Sequence, residues 1–89
     1  MKEFTYKIEQ DNGLHARPAG ALATTARKFK SDIKVRTNER EADAKRLLSL
    51  MGLGAVKGAE LHFEINGDDE EDACKKLKSF CEGGFGGIR

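Results

Sequence analysis

The run Asn-Gly-Leu-His-Ala-Arg-Pro-Ala-Gly at residues 12–20 sets His15 two positions before Arg17 and three before Pro18, the sole proline of the chain. Proline suits the first turn of a helix, where its missing N–H would have no intrahelical acceptor. The spacing therefore predicts a helix from Ala16, with His15 at or just before its N-cap and the Ala16 and Arg17 N–H groups free beside the imidazole. Such donors, at the positive end of a helix dipole, favour anions. The Arg17 guanidinium adds a fork that matches phosphate oxygens in pairs. A ring nitrogen with a free lone pair is a nucleophile near neutral pH. These residues can therefore accept a phosphoryl group on His15 and hold it with Arg17. The bland alternative for His15 is a surface histidine that merely caps a helix.

The elements that must position this segment follow from hydrophobic periodicity. Phe4, Tyr6 and Ile8 alternate with polar residues and predict a first strand, which Asp11-Asn12-Gly13 breaks. Ala19, Leu22, Ala23 and Ala26 keep helical spacing from Ala16 to about Lys28, with Phe29 packing at the end. Ile33, Val35 and Thr37 mark a second strand, and Thr37-Asn38-Glu39-Arg40 a turn into a short, weakly patterned third strand at Arg40–Asp43. A second helix is expected from Lys45 to Met51, stopped by Gly52 and Gly54. Leu61, Phe63 and Ile65 define a last strand from Glu60 to Ile65, and a final helix from Asp68 to Glu82 opens on acidic residues that complement its dipole. The fold class is α+β: an open-faced two-layer sandwich, with a four-stranded antiparallel sheet covered on one face by three helices in the order β-α-β-β-α-β-α.

Composition narrows the function. The 89 residues allow one domain, and 16 basic against 15 acidic residues leave a formal charge of +1, which argues against bulk attraction to nucleic acid or acidic membrane. No apolar run is long enough to cross a bilayer, and the opening MKEFTYKI reads as a strand and not a signal peptide, so a cytoplasmic location is expected. Residues 1–83 read as the domain. The tail 84–89, GGFGGIR with its preceding glycine, is too glycine-rich to hold regular structure alone, and fraying is expected over a return of Phe85 or Ile88 to the surface.

Other chemistry-bearing residues take structural readings. Cys74 and Cys81 fall seven residues apart on one helix, about 10 Å along its axis, beyond disulfide reach; both read as free residues of the apolar face with Ala73, Leu77 and Phe80. His62, between Glu60 and Glu64, reads as an exposed bystander. The Asp68–Asp72 run is a solvated helix start. Gly52-Leu53-Gly54 lacks the lysine and hydroxyl of a nucleotide-binding loop. No metal and no cofactor is expected. The same β-α-β-β-α-β core would also suit a ferredoxin-like RNA-binding module, but Phe4, Tyr6 and Phe63 lie in phase with core residues and cannot form a stacking face.

NGLHARPA, with the AKRLLSLMGLGAVKGAEL stretch at residues 44–61 and the acidic opening of the last helix, resembles HPr, the family of histidine-containing phosphocarrier proteins of the bacterial phosphoenolpyruvate-dependent sugar phosphotransferase system. The resemblance covers nearly the whole chain. It implies strand order 1-4-2-3, phosphorylation of Nδ1 of His15, and a stoichiometric carrier that is not a stand-alone catalyst. It also implies partners: the first enzyme of the system as donor and sugar-specific second enzymes as acceptors. A monomer is expected, with neither nucleic acid nor membrane insertion. Leu47, Leu48, Met51 and Leu53 are more apolar than so short a helix can bury. By resemblance Leu47, Leu48 and Met51 would dock partners, with Ala16, Gly20 and Arg17 at the rim and Leu50 and Leu53 in the core. One position departs from the family. Where many members carry a serine phosphorylated by a regulatory kinase, this chain has Arg46, so Asp43 is expected to cap the second helix. Arg46 would join Arg17, Arg27 and Lys45 in a basic rim. The alternative reading is an HPr-like regulatory module that controls a transcription factor or metabolic enzyme.

Overall fold

The computed structural model describes residues 1–87, and the expectation for Ile88 lies outside them. Strands β1 (Lys2–Lys7), β2 (Asp32–Thr37), β3 (Arg40–Asp43) and β4 (Glu60–Asn66) alternate with helices α1 (Ala16–Ala26), α2 (Leu47–Met51) and α3 (Glu70–Glu82). The four strands form one antiparallel sheet in the order β1-β4-β2-β3. This order separates the fold from the ferredoxin-like alternative that periodicity alone left open.

Alternation along the strands produces a two-sided sheet, because successive side chains point to opposite faces. Phe4, Tyr6, Ile33, Val35, Leu61, Phe63 and Ile65 are buried on one face beneath the helices, together with Leu22 and Ala26 of α1 and Leu77 and Cys81 of α3. Phe4 and Phe63 are cross-strand partners whose rings stack at 4.4 Å between centroids. The β2–β3 hairpin turns on Asn38 and Glu39, both at positive φ (49° and 66°), the backbone that matches the twist of a tight two-residue hairpin.

Helix ends differ from the expected ones for local reasons. α1 stops at Ala26, two residues early, where Lys28 and Phe29 N–H groups bond Thr25 and Ala26 carbonyls in tighter turns. α2 begins at Leu47 with Arg46 as its N-cap and no side-chain cap. Asp43 does not cap that helix: its carboxylate accepts the Lys45 N–H at 2.9 Å, fixing the turn before it. α3 begins at Glu70, because the Asp69 carboxylate is turned away to accept the Lys30 and Ser31 N–H groups at 2.8 and 2.9 Å and the Ser31 hydroxyl. Those bonds, the Ser31 hydroxyl foremost, hold the Asp69 carboxyl below its ordinary pKa and tie the entry of β2 to the start of α3.

The tail corrects a sequence expectation. Gly84–Gly87 forms a short turn, α4, with all four residues at positive φ, and it seats Phe85 in the core at 1% exposure. Its ring meets Tyr6 at 5.5 Å and Phe80 at 5.9 Å, edge to face. Glycine was read as a source of disorder, but three glycines are also what a left-handed turn requires.

Candidate functional site

The start of α1 is anchored from both sides. Leu14 and Ala19, at positions N′ and N4, are both buried, the pairing of a hydrophobic staple that fixes how the chain enters a helix. Pro18 is fully buried in the same turn. His15 is the N-cap, extended at φ −82° and ψ −171°, half-buried, and its side chain makes no capping bond. The first rung of the helix runs from the Ala19 N–H to the His15 carbonyl at 3.0 Å. The Ala16 and Arg17 N–H groups precede that rung, and Pro18 has none to offer. Among the described residues, these two donors and the exposed Arg17 guanidinium have no protein acceptor. The result is a histidine beside two free backbone donors and an unengaged cation, at the positive end of an eleven-residue helix. Such a corner can hold a tetrahedral dianion attached to the ring.

A second loop braces this corner, and the sequence reading did not single it out. The Leu14 N–H donates to the Ala55 carbonyl at 3.0 Å, while Ile8 exchanges backbone bonds with Ala59 and Gly58 at 2.9 and 2.8 Å. Residues 55–59 are thereby zipped to the segment that leads into His15. Gly13 makes the approach possible. At φ +67°, a Cβ here would stand 2.3 Å from the Ala55 carbonyl oxygen. The composition of Gly13 marked a turn; only the fold reveals what crosses it.

At its other end, α1 is tied to the entry of α2. Arg27 Nη1 donates to the Lys45 carbonyl at 3.0 Å, and Lys45 Nζ donates to the Phe29 carbonyl at 2.8 Å. With the Gly13–Ala55 contact at the opposite end, these bonds lay α2 and its following loop antiparallel to α1. Two of the four residues expected in a basic rim are thus engaged in holding helices together. Arg46 is exposed.

Leu47 (37% exposed), Leu48 (81%) and Met51 (40%) stand on the surface, whereas Leu50 and Leu53 are buried. Ala16 is exposed and Gly20 half-buried. Val56, in the loop after α2, is also 64% exposed; an isolated valine in a loop carried no periodic signal by which to find it. Cys74 and Cys81 are both free, and burial pushes the Cys81 thiol up to about 12.

The family model for the phosphorylation site of the HPr component of the phosphotransferase system matches residues 2–83. The chain belongs to the HPr family. Among solved structures it is similar to HPr-C-His from Thermoanaerobacter tengcongensis, at 42% identity over 97% of each chain with a TM-score of 0.90. It is also similar to the histidine-containing phosphocarrier protein of Mycoplasma, at 33% identity over 88% of this chain and 89% of that one, with a TM-score of 0.85. Crh of Bacillus subtilis, a catabolite-repression protein seen as a swapped dimer, matches at 29% identity over 92% and 94% of the two chains, with a TM-score of 0.72. The chain is therefore an HPr-family phosphocarrier, with the sheet order common to that fold. No helix among the described residues is long and apolar enough to cross a membrane.

Proposed function

We propose that this HPr-family protein carries a phosphoryl group on Nδ1 of His15, taking it in the cytoplasm from the phosphoenolpyruvate-charged first enzyme of the sugar phosphotransferase system and passing it to sugar-specific second enzymes. The observation that carries the reading is the uncapped, half-exposed His15 beside the free Ala16 and Arg17 N–H groups and the unpaired Arg17. The Nδ1 lone pair forms the new N–P bond as the donor's bond to phosphorus breaks, and the donor keeps that electron pair. Positioning and charge do the work, as expected for phosphoryl transfer. Arg17 and the two N–H groups hold the equatorial oxygens, and the reverse step delivers the group to the acceptor. Because the donors are few and solvent-facing, they stabilise the phosphorylated ring only modestly, which suits a relay.

Partners dock on Leu47, Leu48 and Met51, with Ala16 and Gly20 beside the histidine. A monomer leaves that surface open on every copy. Arg46 removes the serine through which a regulatory role would be switched, although the likeness to Crh supports a regulatory module as the second reading. Incubation with phosphoenolpyruvate and the first enzyme is expected to add one acid-labile phosphoryl group by mass spectrometry, and none to His15→Ala. Retention of the mass shift in His15→Ala rejects the carrier reading. An absent shift in the wild type favours the regulatory one.

A further inference from the structure

The helix-free face of the sheet carries a second histidine that phosphoryl transfer does not use. Antiparallel pairing sets Glu3 of β1 opposite Glu64 of β4, with Thr5 and Arg36 flanking His62 on either side. Glu3, His62 and Glu64 therefore share one face at neighbouring positions. His62 Nε2 stands 2.7 Å from Glu3 Oε1 and 3.7 Å from Glu64 Oε2. One ligand atom from each of the three lies within 4.8 Å of the others.

We propose that Glu3, His62 and Glu64 form a binding site for Zn²⁺. A tetrahedral zinc ion with bonds of about 2.0–2.1 Å spaces its nitrogen and oxygen ligands about 3.3 Å apart, and the two observed spacings from the imidazole bracket that value. The exposed Glu3 side chain has to withdraw and the Glu64 carboxylate to close in, each by a few tenths of an ångström, while His62 and Glu64 are half-buried on the inner strand β4. One imidazole with two carboxylates is a donor set suited to zinc, with water completing the shell. Arg36 pairs with Glu64 and orients it, in the way outer groups orient metal-bound carboxylates. That pairing does not exhaust a carboxylate, which has about four lone-pair sites. The site lies on the sheet face opposite the helices, so it can fill without contact to His15.

The chain has only two histidines, so imidazole NMR resonances report each one separately. Titration of the full chain with Zn²⁺ in a non-chelating buffer near pH 7.5 is expected to shift the His62 signals saturably, while those of His15 stay in place. Calorimetry is expected to show one site, with His62→Ala weakened about tenfold or more, Glu3→Gln weakened in the same direction, and His15→Ala unchanged. Equal movement of both histidines, loss of binding in His15→Ala, full affinity in His62→Ala, or no saturable binding would each overturn the site. Because His15→Ala is the control, the result does not depend on the transfer reading.

Discussion

A single missing methyl group decides how the corner around His15 is built. Gly13→Ala would place a carbon 2.3 Å from the Ala55 carbonyl oxygen at a φ of +67°, so the two loops must separate and the Leu14 bond to Ala55 must stretch. The variant is expected to lose about 2 kcal/mol in urea unfolding, and to receive a phosphoryl group more slowly although His15 and Arg17 are intact. Gly20→Ala meets no neighbouring atom and is the matched control for stability. Cys81 gives a prediction of a different kind. In the unfolded chain its thiol ionises near pH 8.5, whereas burial, helped by the Glu82 charge, holds the folded thiol to about 12. Between these values the folded state binds more protons, so stability falls as pH rises, by on the order of 1 kcal/mol per pH unit. Cys81→Ala should flatten that slope in denaturation curves taken from pH 8 to 11. Thiol reagents at neutral pH should label only Cys74 in the folded protein.

The elements divide by whether their signal was local. Strands β1, β2 and β4 and the body of α1 and α3 were legible because alternation and helical spacing survive into the burial pattern. Even the weakly patterned β3 was placed at Arg40–Asp43, since the turn before it announced it. The cap of α2 was misread because side chains have more than one eligible N–H: Asp43 took that of Lys45, inside the preceding turn. The end of the chain was misread for a further reason. Phe85 is buried by residues from β1 and α3, and no local pattern encodes such a distant partner. Phe85→Ala is expected to destabilise the protein by about 3–5 kcal/mol, while Gly87→Ser, open to solvent but at positive φ, should cost only the backbone strain of about 1–2 kcal/mol. Chemical denaturation compares them directly. At the candidate site, NGLHARPA marked the helix start, with His15 and Arg17 beside it. The bracing loop at Ala55–Ala59 stayed hidden because its contacts join residues some forty to fifty positions apart and run mainly through backbone atoms, with Lys57 and Asp11 adding one exposed ion pair.

For the molecule as a whole, three of the five exposed large hydrophobics among the described residues, Leu47, Leu48 and Met51, fall on α2. Leu48 is 81% exposed, so Leu48→Asp should change stability by no more than about 0.5 kcal/mol. If this surface receives partners, phosphoryl transfer from the first enzyme should slow at least about tenfold, and the loss should appear in the concentration dependence of the rate. With a formal charge of +1, the molecule exerts little long-range attraction, so such a loss should depend only weakly on salt. The sheet order has a further consequence, which belongs to synthesis. β1 is translated before the other three strands, yet among the described residues its one sheet neighbour is β4, and Lys7 must wait for Glu60 before the two can pair. At about 5–20 residues per second, that wait lasts about 3–10 s. Throughout it the backbone of β1, which carries Phe4 and Tyr6, has no sheet partner. The ring of Phe85 arrives later still, and it closes over Tyr6 of that same strand.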